Sequence, residues 1–215
     1  MDIKALKNKR VLITAGPTWV PIDSVRAIGN LASGETGIRL AEKLKESGAK
    51  VTLCLGPVPR SYATKGIKLI RFVFFDELKR ALFKEIASKK YDLIIHSAAV
   101  SDFRPKEIFS KKISSGLPRL KLELVRNPKL LDSFRKIDAS LKIVAFKFEP
   151  RQAIPRLIKE AKGLLKRSGS FLVIANTVTN GRYNAYIVSQ NTTQGPIKSK
   201  ADLTEKLVNK LGETL

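Results

Sequence analysis

The sequence predicts an α/β fold, a mostly parallel sheet with helices packed on both of its faces. Two observations carry this. Short apolar runs, VLI at 11–13, VTLCL at 51–55, LII at 93–95 and VIA at 173–175, alternate along the chain with stretches of helical periodicity. The LII run is also continuous rather than alternating, as expected of a parallel strand covered on both faces.

The elements follow in order. Residues 1–9 are a basic lead-in, and 10–15 form the first strand, ended by Ala15-Gly16-Pro17. Ile38, Ala41 and Leu44 recur at helical spacing over 35–47, where Gly48 stops the helix. A second strand over 50–55 completes a β-loop-α-β unit, which requires a right-handed crossover. A third strand is expected over 67–74, a helix over 76–88 with Leu78, Leu82 and Ile86 on one face, and a fourth strand over 91–97. Residues 104–119 hold Lys106, Lys111, Lys112 and Arg119 with little periodicity, and read as either a basic flap or a plain solvated loop. An alternating strand over 120–125 is expected outside the main sheet, followed by a short helix opening at Asn127-Pro128, with Asn as cap.

Further along, 142–148 is a strand and 152–167 a helix striped by Ile154, Leu157, Ile158, Ala161 and Leu165. Another buried strand spans 171–175, and Asn180-Gly181 turns an antiparallel arm over 183–189. Ser199 caps a last helix carrying Leu203, Leu207 and Leu211. No linker or repeat divides the chain. The expectation is one Rossmann-like, three-layer domain over 1–215, with a small antiparallel ribbon and a flap at 104–119.

Composition narrows the function classes. At 215 residues and 43% hydrophobic content the chain can bury a full core. Its single cysteine, Cys54, lies in an apolar run and cannot form an internal disulfide. No apolar leader is present and no run approaches the ~18 residues of a membrane span, so a cytoplasmic location without membrane partners is expected. The net charge of +22, from 41 Lys and Arg against 19 Asp and Glu, attracts anions of any kind. Because those charges are spread over helix faces and no aromatic-rich β surface accompanies them, no specific nucleic acid is expected.

The segment between the first strand and the first helix, residues 16–34, is too long for a simple connection. In an open α/β sheet such loops at the strands' carboxyl ends hold ligands, commonly a phosphate at a helix N-terminus. Ser33 and Gly34 lie where a hydroxyl can cap and a glycine lets an anion approach the main chain, although an ordinary N-cap reads the same way. Arg26 and Asn30 add a charged donor and an amide, with a solvated surface charge as the alternative for Arg26. Neither GxGxxG nor GxxxxGK[ST] is present. The loop after the fourth strand, AAVSDFRP, falls on the same edge, which makes a shared site.

At these residues the sequence closely resembles the phosphopantothenoylcysteine synthetases, which join phosphopantothenate to cysteine. The carriers are ITAGPT, PID-VR and N-L-A-S-G in the loop, then IHSAAVSDFRP at 95–105, KKISSG at 111–116, LELVRNPKLL at 122–131, VAFKFE at 144–149 and FLVIAN at 171–176. These blocks keep the family's order over roughly residues 9 to 190.

The resemblance implies a two-step ligase using CTP or ATP with Mg²⁺ through an acyl-nucleotidyl intermediate. It implies that Asn30 and Lys112 are catalytic, Lys112 closing over the reacting centre from the flap. Arg26, Ser33, Gly34 and Ala99 would hold substrate and intermediate, and Asp102, Arg126, Asn127, Pro128 and Phe146 the nucleotide. The metal ligands stay unknown. A homodimer is implied, pairing near 120–126, as is a separate flavin-dependent phosphopantothenoylcysteine decarboxylase as partner. His96 reads as a buried strand residue bonded to a neighbouring backbone group, not as a general base. Trp19 either stacks on a ligand or anchors its own loop.

The chain departs from the family pattern in three places. Two nucleotide-contacting lysines of the family match Leu164 and Ser168 here, with Lys162, Lys166 and Arg167 nearby as replacements, and Phe171 stands where the family has Asp. These departures leave CTP and ATP both open. The rival readings are an NAD(P) oxidoreductase, which would need a glycine fingerprint and a Tyr-x-x-x-Lys pair, and a basic nucleic-acid-binding protein, which would leave the polar loops unexplained.

Overall fold

A computed structural model describes residues 6–59 and 65–215; the first five residues of the basic lead-in lie outside them. The elements are β1 (Arg10–Ala15), β2 (Trp19–Pro21), β3 (Ala27–Gly29), α1 (Glu35–Glu46), β4 (Lys50–Leu55), β5 (Lys68–Arg71), α2 (Phe75–Ala87), β6 (Leu93–His96) and β7 (Phe103–Pro105). They continue as β8 (Leu124–Arg126), α3 (Leu131–Ile137), β9 (Lys142–Phe148), α4 (Ile154–Ser168), β10 (Leu172–Thr179), β11 (Arg182–Val188), β12 (Thr193–Ile197) and α5 (Lys200–Thr214).

Eight strands form one sheet in the order β12-β11-β10-β9-β6-β1-β4-β5. The strands from β10 to β5 pair in parallel, and β11 and β12 add an antiparallel edge. From β1 the chain winds outward to β4 and β5, and from β6 outward to β9 and β10. The strand order therefore reverses between β1 and β6, and a crevice opens at their carboxyl ends.

Side-chain parity divides the core. Val11, Ile13 and Ala15 of β1 face the layer that holds α1 and α5, whereas Leu12 packs with α2 and α3. Leu157 and Ala161 of α4 extend that second layer over β9 and β10. Each fully buried Leu or Ile stabilises the fold by about 1.5–3 kcal/mol. The fold is thus the expected three-layer one. Cys54 is fully buried, and burial, with some help from the Glu85 carboxylate, pushes its thiol up to about 12.

Four local expectations need correction. The strand expected over 120–125 is only Leu124–Arg126, because its pairing with Phe103–Pro105 reaches no further back than Leu124. The third strand is only Lys68–Arg71, because Glu77 Oε2 accepts the N–H groups of Val73 (2.8 Å) and Phe74 (3.1 Å) and draws them out of the sheet to open α2. The helix expected at Asn127-Pro128 begins instead at Leu131. Asn127 is no cap: its N–H bonds Asp102 O at 2.8 Å, its Nδ2 donates to Ser101 O and its Oδ1 accepts from Arg104. The last buried strand runs on to Thr179, since Asn180 (φ 50°) and Gly181 (φ 73°) turn it directly into β11.

The long first loop has structure of its own. β2 and β3 pair antiparallel, and Trp19 packs over Gly29, where any Cβ would come within 2.3 Å of the indole. Trp19 is 40% exposed, and its backbone N–H bonds Val73 O at 2.9 Å. Trp19 therefore anchors its own loop.

Candidate active site

The crevice between β1 and β6 is where the two ligand loops meet. Ala99 N donates to Gly16 O at 2.9 Å and Thr18 N to Ala99 O at 3.1 Å, so the loop after β6 is laced to the loop after β1. Asn30 completes the tie by donating its Nδ2 to Ala99 O at 3.0 Å. Deeper in, Thr18 and Ser101 lock the same loops together: Thr18 Oγ1 accepts Ser101 N at 2.8 Å, and Ser101 Oγ donates to Thr18 O at 2.9 Å.

A two-lobed cleft opens above this seam. One lobe, about 540 Å³, lies over β6 and β9 between α3 and α4; Leu130, Leu131, Phe146 and Leu164 form the walls that make it the apolar lobe, and Glu160 and Arg167 add charge to its rim. The other, about 670 Å³, lies over the N-terminus of α1 and is lined by Asn30, Ser33, Gly34, Asn176, Tyr183 and Lys200. Both volumes fall within the roughly 300–1,000 Å³ of small-molecule sites. The lobes share Ala98, Val100, Asp102, Lys129, Phe146 and Lys147.

The second lobe is built around the N-terminus of α1. Gly34 holds φ 72° at the start of α1, a conformation that a side chain would strain, and leaves the first-turn N–H groups facing the lobe. Gly37 allows α1 to sit against β1 and β6: a Cβ there would meet Ser97 Oγ at 2.5 Å and Ala15 Cβ at 2.6 Å. Ser33 Oγ accepts the Glu35 N–H at a long 3.4 Å. Glu35 bonds Lys200 at 2.6 Å and Arg39 at 2.9 Å, and these two cations hold its carboxyl below the usual range. Asn176 Oδ1 and the Tyr183 hydroxyl are buried in this wall without a hydrogen-bond partner among the described residues. Such atoms call for a partner.

The junction carries the charge. Lys129 Nζ lies 2.5 Å from Asp102 Oδ1, an exposed pair free to exchange partners. Lys147 Nζ bonds Glu149 at 2.5 Å and Glu160 at 3.2 Å. Partial burial works against its ammonium, but these carboxylates outweigh it and hold the pKa above the ordinary lysine value. Lys147 is therefore a permanent cation between the lobes.

Arg26 and Lys112 lie outside the cleft lining, yet one clamp connects them. The Asp23 side chain is fully buried and accepts the N–H groups of Val25, Arg26 and Ile113 at 2.8, 2.8 and 3.0 Å, as well as the Arg26 guanidinium. Burial alone would raise its pKa, but these donors more than offset that and hold the carboxyl far below the usual range. Arg26 also donates to Ile113 O at 3.2 Å. The chain at 113 is thus pinned to the first loop, and exposed Lys112 sits one residue from the pin. Arg26 is an ion-paired clamp member rather than a free surface charge.

The family described as "DNA/pantothenate metabolism flavoprotein C-terminal domain" matches residues 6–214. The chain belongs to this family. The match bears out the resemblance drawn from the motifs. A curated relative, the "Coenzyme A biosynthesis bifunctional protein CoaBC" of Thermococcus kodakarensis, is 36% identical over 218 residues, covering 99% of this chain and 53% of the relative. The chain spans about half the length of the curated relatives it matches. Among solved structures, the DNA/pantothenate metabolism flavoprotein from Streptococcus pneumoniae superposes with a TM-score of 0.85 at 23% identity, covering 96% of this chain and all of that one. A Cab2 variant in complex with phosphopantothenate-cysteine superposes with a TM-score of 0.75 at 21% identity, covering 99% and 91%. At these identities the two structures establish the shared fold.

Within this pantothenate metabolism domain, Asn30, Ser33, Gly34, Ala99, Asp102, Pro128 and Phe146 all line the cleft. Arg126 is exposed on β8, and Asn127 braces the loop from below. Of the lysine replacements, Arg167 reaches the cleft lining, 3.6 Å from Asp132, beside Leu164. Ser168 turns inward and bonds Leu164 O and Ser170 Oγ, both at 2.7 Å. Sequence reasoning missed Lys129, Lys147, Asn176 and Tyr183. Lys129 and Lys147 sit inside the very motifs that were singled out, VRNPKLL and VAFKFE, and that adjacency was the available signal.

His96 also differs from its expectation. Its Nδ1 pairs with a side chain, Thr14 Oγ1 at 3.0 Å, instead of a backbone group, because β1 and β6 run parallel in a register that sets Thr14 opposite His96. The ring lies edge-on to Phe134 at 5.1 Å and lines the floor of the apolar lobe.

Proposed function

We propose that this domain joins phosphopantothenate to cysteine in the cytoplasm, at the expense of CTP or ATP. The observation that carries the reading is the two-lobed cleft, with Phe146, Leu131 and Leu164 as apolar walls in one lobe, the N-terminus of α1 in the other, and Lys129 and Lys147 lining both. In the first step the phosphopantothenate carboxylate attacks the α-phosphorus of the nucleotide, the P–O bond to the β-phosphate breaks and pyrophosphate leaves. Cysteine's amine then attacks the activated carbonyl, the nucleoside monophosphate departs, and the nitrogen loses its proton.

Lys129 and Lys147 are suited to the triphosphate, and the α1 N-terminus with Ser33 to the acid substrate. Mg²⁺ would arrive on the nucleotide, and Asp102 is the carboxylate that lines both lobes. Lys112, pinned through Ile113, would close over the reacting centre. A flavin-dependent decarboxylase that consumes the product is the proposed functional partner.

The test is pyrophosphate release by the purified protein with phosphopantothenate, Mg²⁺ and either CTP or ATP, with and without cysteine. Release with one nucleotide, lost in Lys112→Ala, is the expected result. Absence of release with both, from folded protein, would sink the assignment.

A homodimer through the ribbon side is part of the proposal. Val25, Phe103, Ile108, Leu117 and Leu124 leave exposed apolar surface on the β2–β3 and β7–β8 ribbons, which lie side by side through the bond from Phe109 N to Ile22 O. Sedimentation should give twice the chain mass, and Phe103→Glu with Leu124→Glu should give monomer. A monomeric parent protein would refute this part.

A further inference from the structure

His96 stands at the floor of the apolar lobe with one nitrogen committed and one free. Thr14 Oγ1 already accepts the Ala98 N–H at 3.1 Å. The only acceptor for its hydroxyl hydrogen among the described residues is His96 Nδ1 at 3.0 Å. Satisfying both groups therefore makes Thr14 the donor and places the imidazole proton on Nε2. That N–H has no protein partner among the described residues, and His96 is only partly buried.

We propose that the His96 Nε2–H reads a ring nitrogen or carbonyl acceptor of the nucleotide's base, which lies in the apolar lobe with its phosphates extending to Lys129 and Lys147. The inference rests on the function proposed above and deepens it. A flat heteroaromatic base suits the apolar walls that Phe146, Leu131 and Leu164 give this lobe, while its cations Lys129, Lys147 and Arg167 suit the phosphates that follow the base. The junction cations lie along the path from that lobe to the α1 N-terminus. Although one edge of the ring reaches the lobe, the protein packed around it desolvates the imidazole and pushes its pKa down to about 4, so near neutral pH the ring is uncharged and its donor persists without adding a cation. The adjoining groups agree: Phe134 presents a ring, Thr14 a hydroxyl, and the cations of the lobe, Lys129, Lys147 and Arg167, are held by Asp102, Glu160 and Asp132.

The experiment is calorimetric titration of CTP and of ATP, each with Mg²⁺, into the parent chain, His96→Phe and His96→Gln. His96→Phe keeps a ring against Phe134 and removes the donor; its affinity for the nucleotide that binds the parent should fall tenfold or more. His96→Gln restores an N–H and should recover part of that loss. Phosphopantothenate affinity and the melting temperature without nucleotide should match the parent for both variants. Unchanged nucleotide affinity in His96→Phe overturns the inference, as does an equal loss of phosphopantothenate affinity or failure of both nucleotides to bind the parent. Pyrophosphate release separates the two readings. Normal release with unchanged binding in His96→Phe removes the base contact alone, and no release with His96-dependent binding removes the ligase while the contact stands.

Discussion

Replacing Asn30 with alanine is expected to slow pyrophosphate release by about 10²–10³-fold, the usual cost of deleting a donor preorganised toward developing charge. Asn30 is exposed and makes a single side-chain bond, Nδ2 to Ala99 O, so its removal leaves the core untouched. What it removes is the tie across the crevice and an amide carried on the cleft wall beside Ser33 and Gly34. The melting temperature should therefore stay within a degree or two of the parent's. Measuring rate and melting together decides the matter. Release at the parental rate would show that Asn30 merely braces a loop, and a large drop in melting temperature would show that the tie is structural.

Asp23→Asn is expected to lower the turnover rate by about 10²-fold, although Asp23 touches neither lobe, since a displacement of ~1 Å in a reacting group costs that much. The carboxylate collects three backbone N–H groups and the Arg26 guanidinium, and the Ile113 N–H is the one that ties the flap. An amide at this position turns one acceptor oxygen into a donor facing other donors, which breaks the clamp. Lys112 would then lose its fixed starting point. Turnover should fall while nucleotide affinity stays near the parental value, because Lys129, Lys147 and the apolar lobe are elsewhere. Limited proteolysis within 104–119 should quicken in parallel. Parental turnover in Asp23→Asn would detach Lys112 from the chemistry.

The alternation of apolar runs with helical stripes was legible because parallel strands buried on both faces, as at Leu93, Ile94 and Ile95, leave no polar positions to blur the pattern. The caps were legible for a related reason. Gly48, Asn180-Gly181 and Ser199 act through local dihedrals or a single side-chain bond, and Ser199 Oγ does accept the Asp202 N–H at 3.0 Å. Asn127-Pro128 misled because the same residues that open a helix can also brace a loop. The bonds that decided it, to Ser101 and Arg104, come from segments more than twenty residues away in the chain.

The candidate site divides along the same line. Composition, periodicity and ordered motifs by themselves determined the α/β class, the two ligand loops on one sheet edge, and the family. They also pointed to Asn30, Gly34, Asp102 and Phe146, which all line the cleft. Only the tertiary structure decided that the cleft has two lobes, that Lys129 and Lys147 join them, that Asp23 clamps the flap through Ile113, and that His96 turns toward Thr14. The physical reason is range. Helix caps and strand patterns depend on neighbours in the chain, whereas an ion pair such as Lys147 with Glu160, or a hydroxyl set opposite an imidazole 82 residues away, exists only once the sheet has fixed its register.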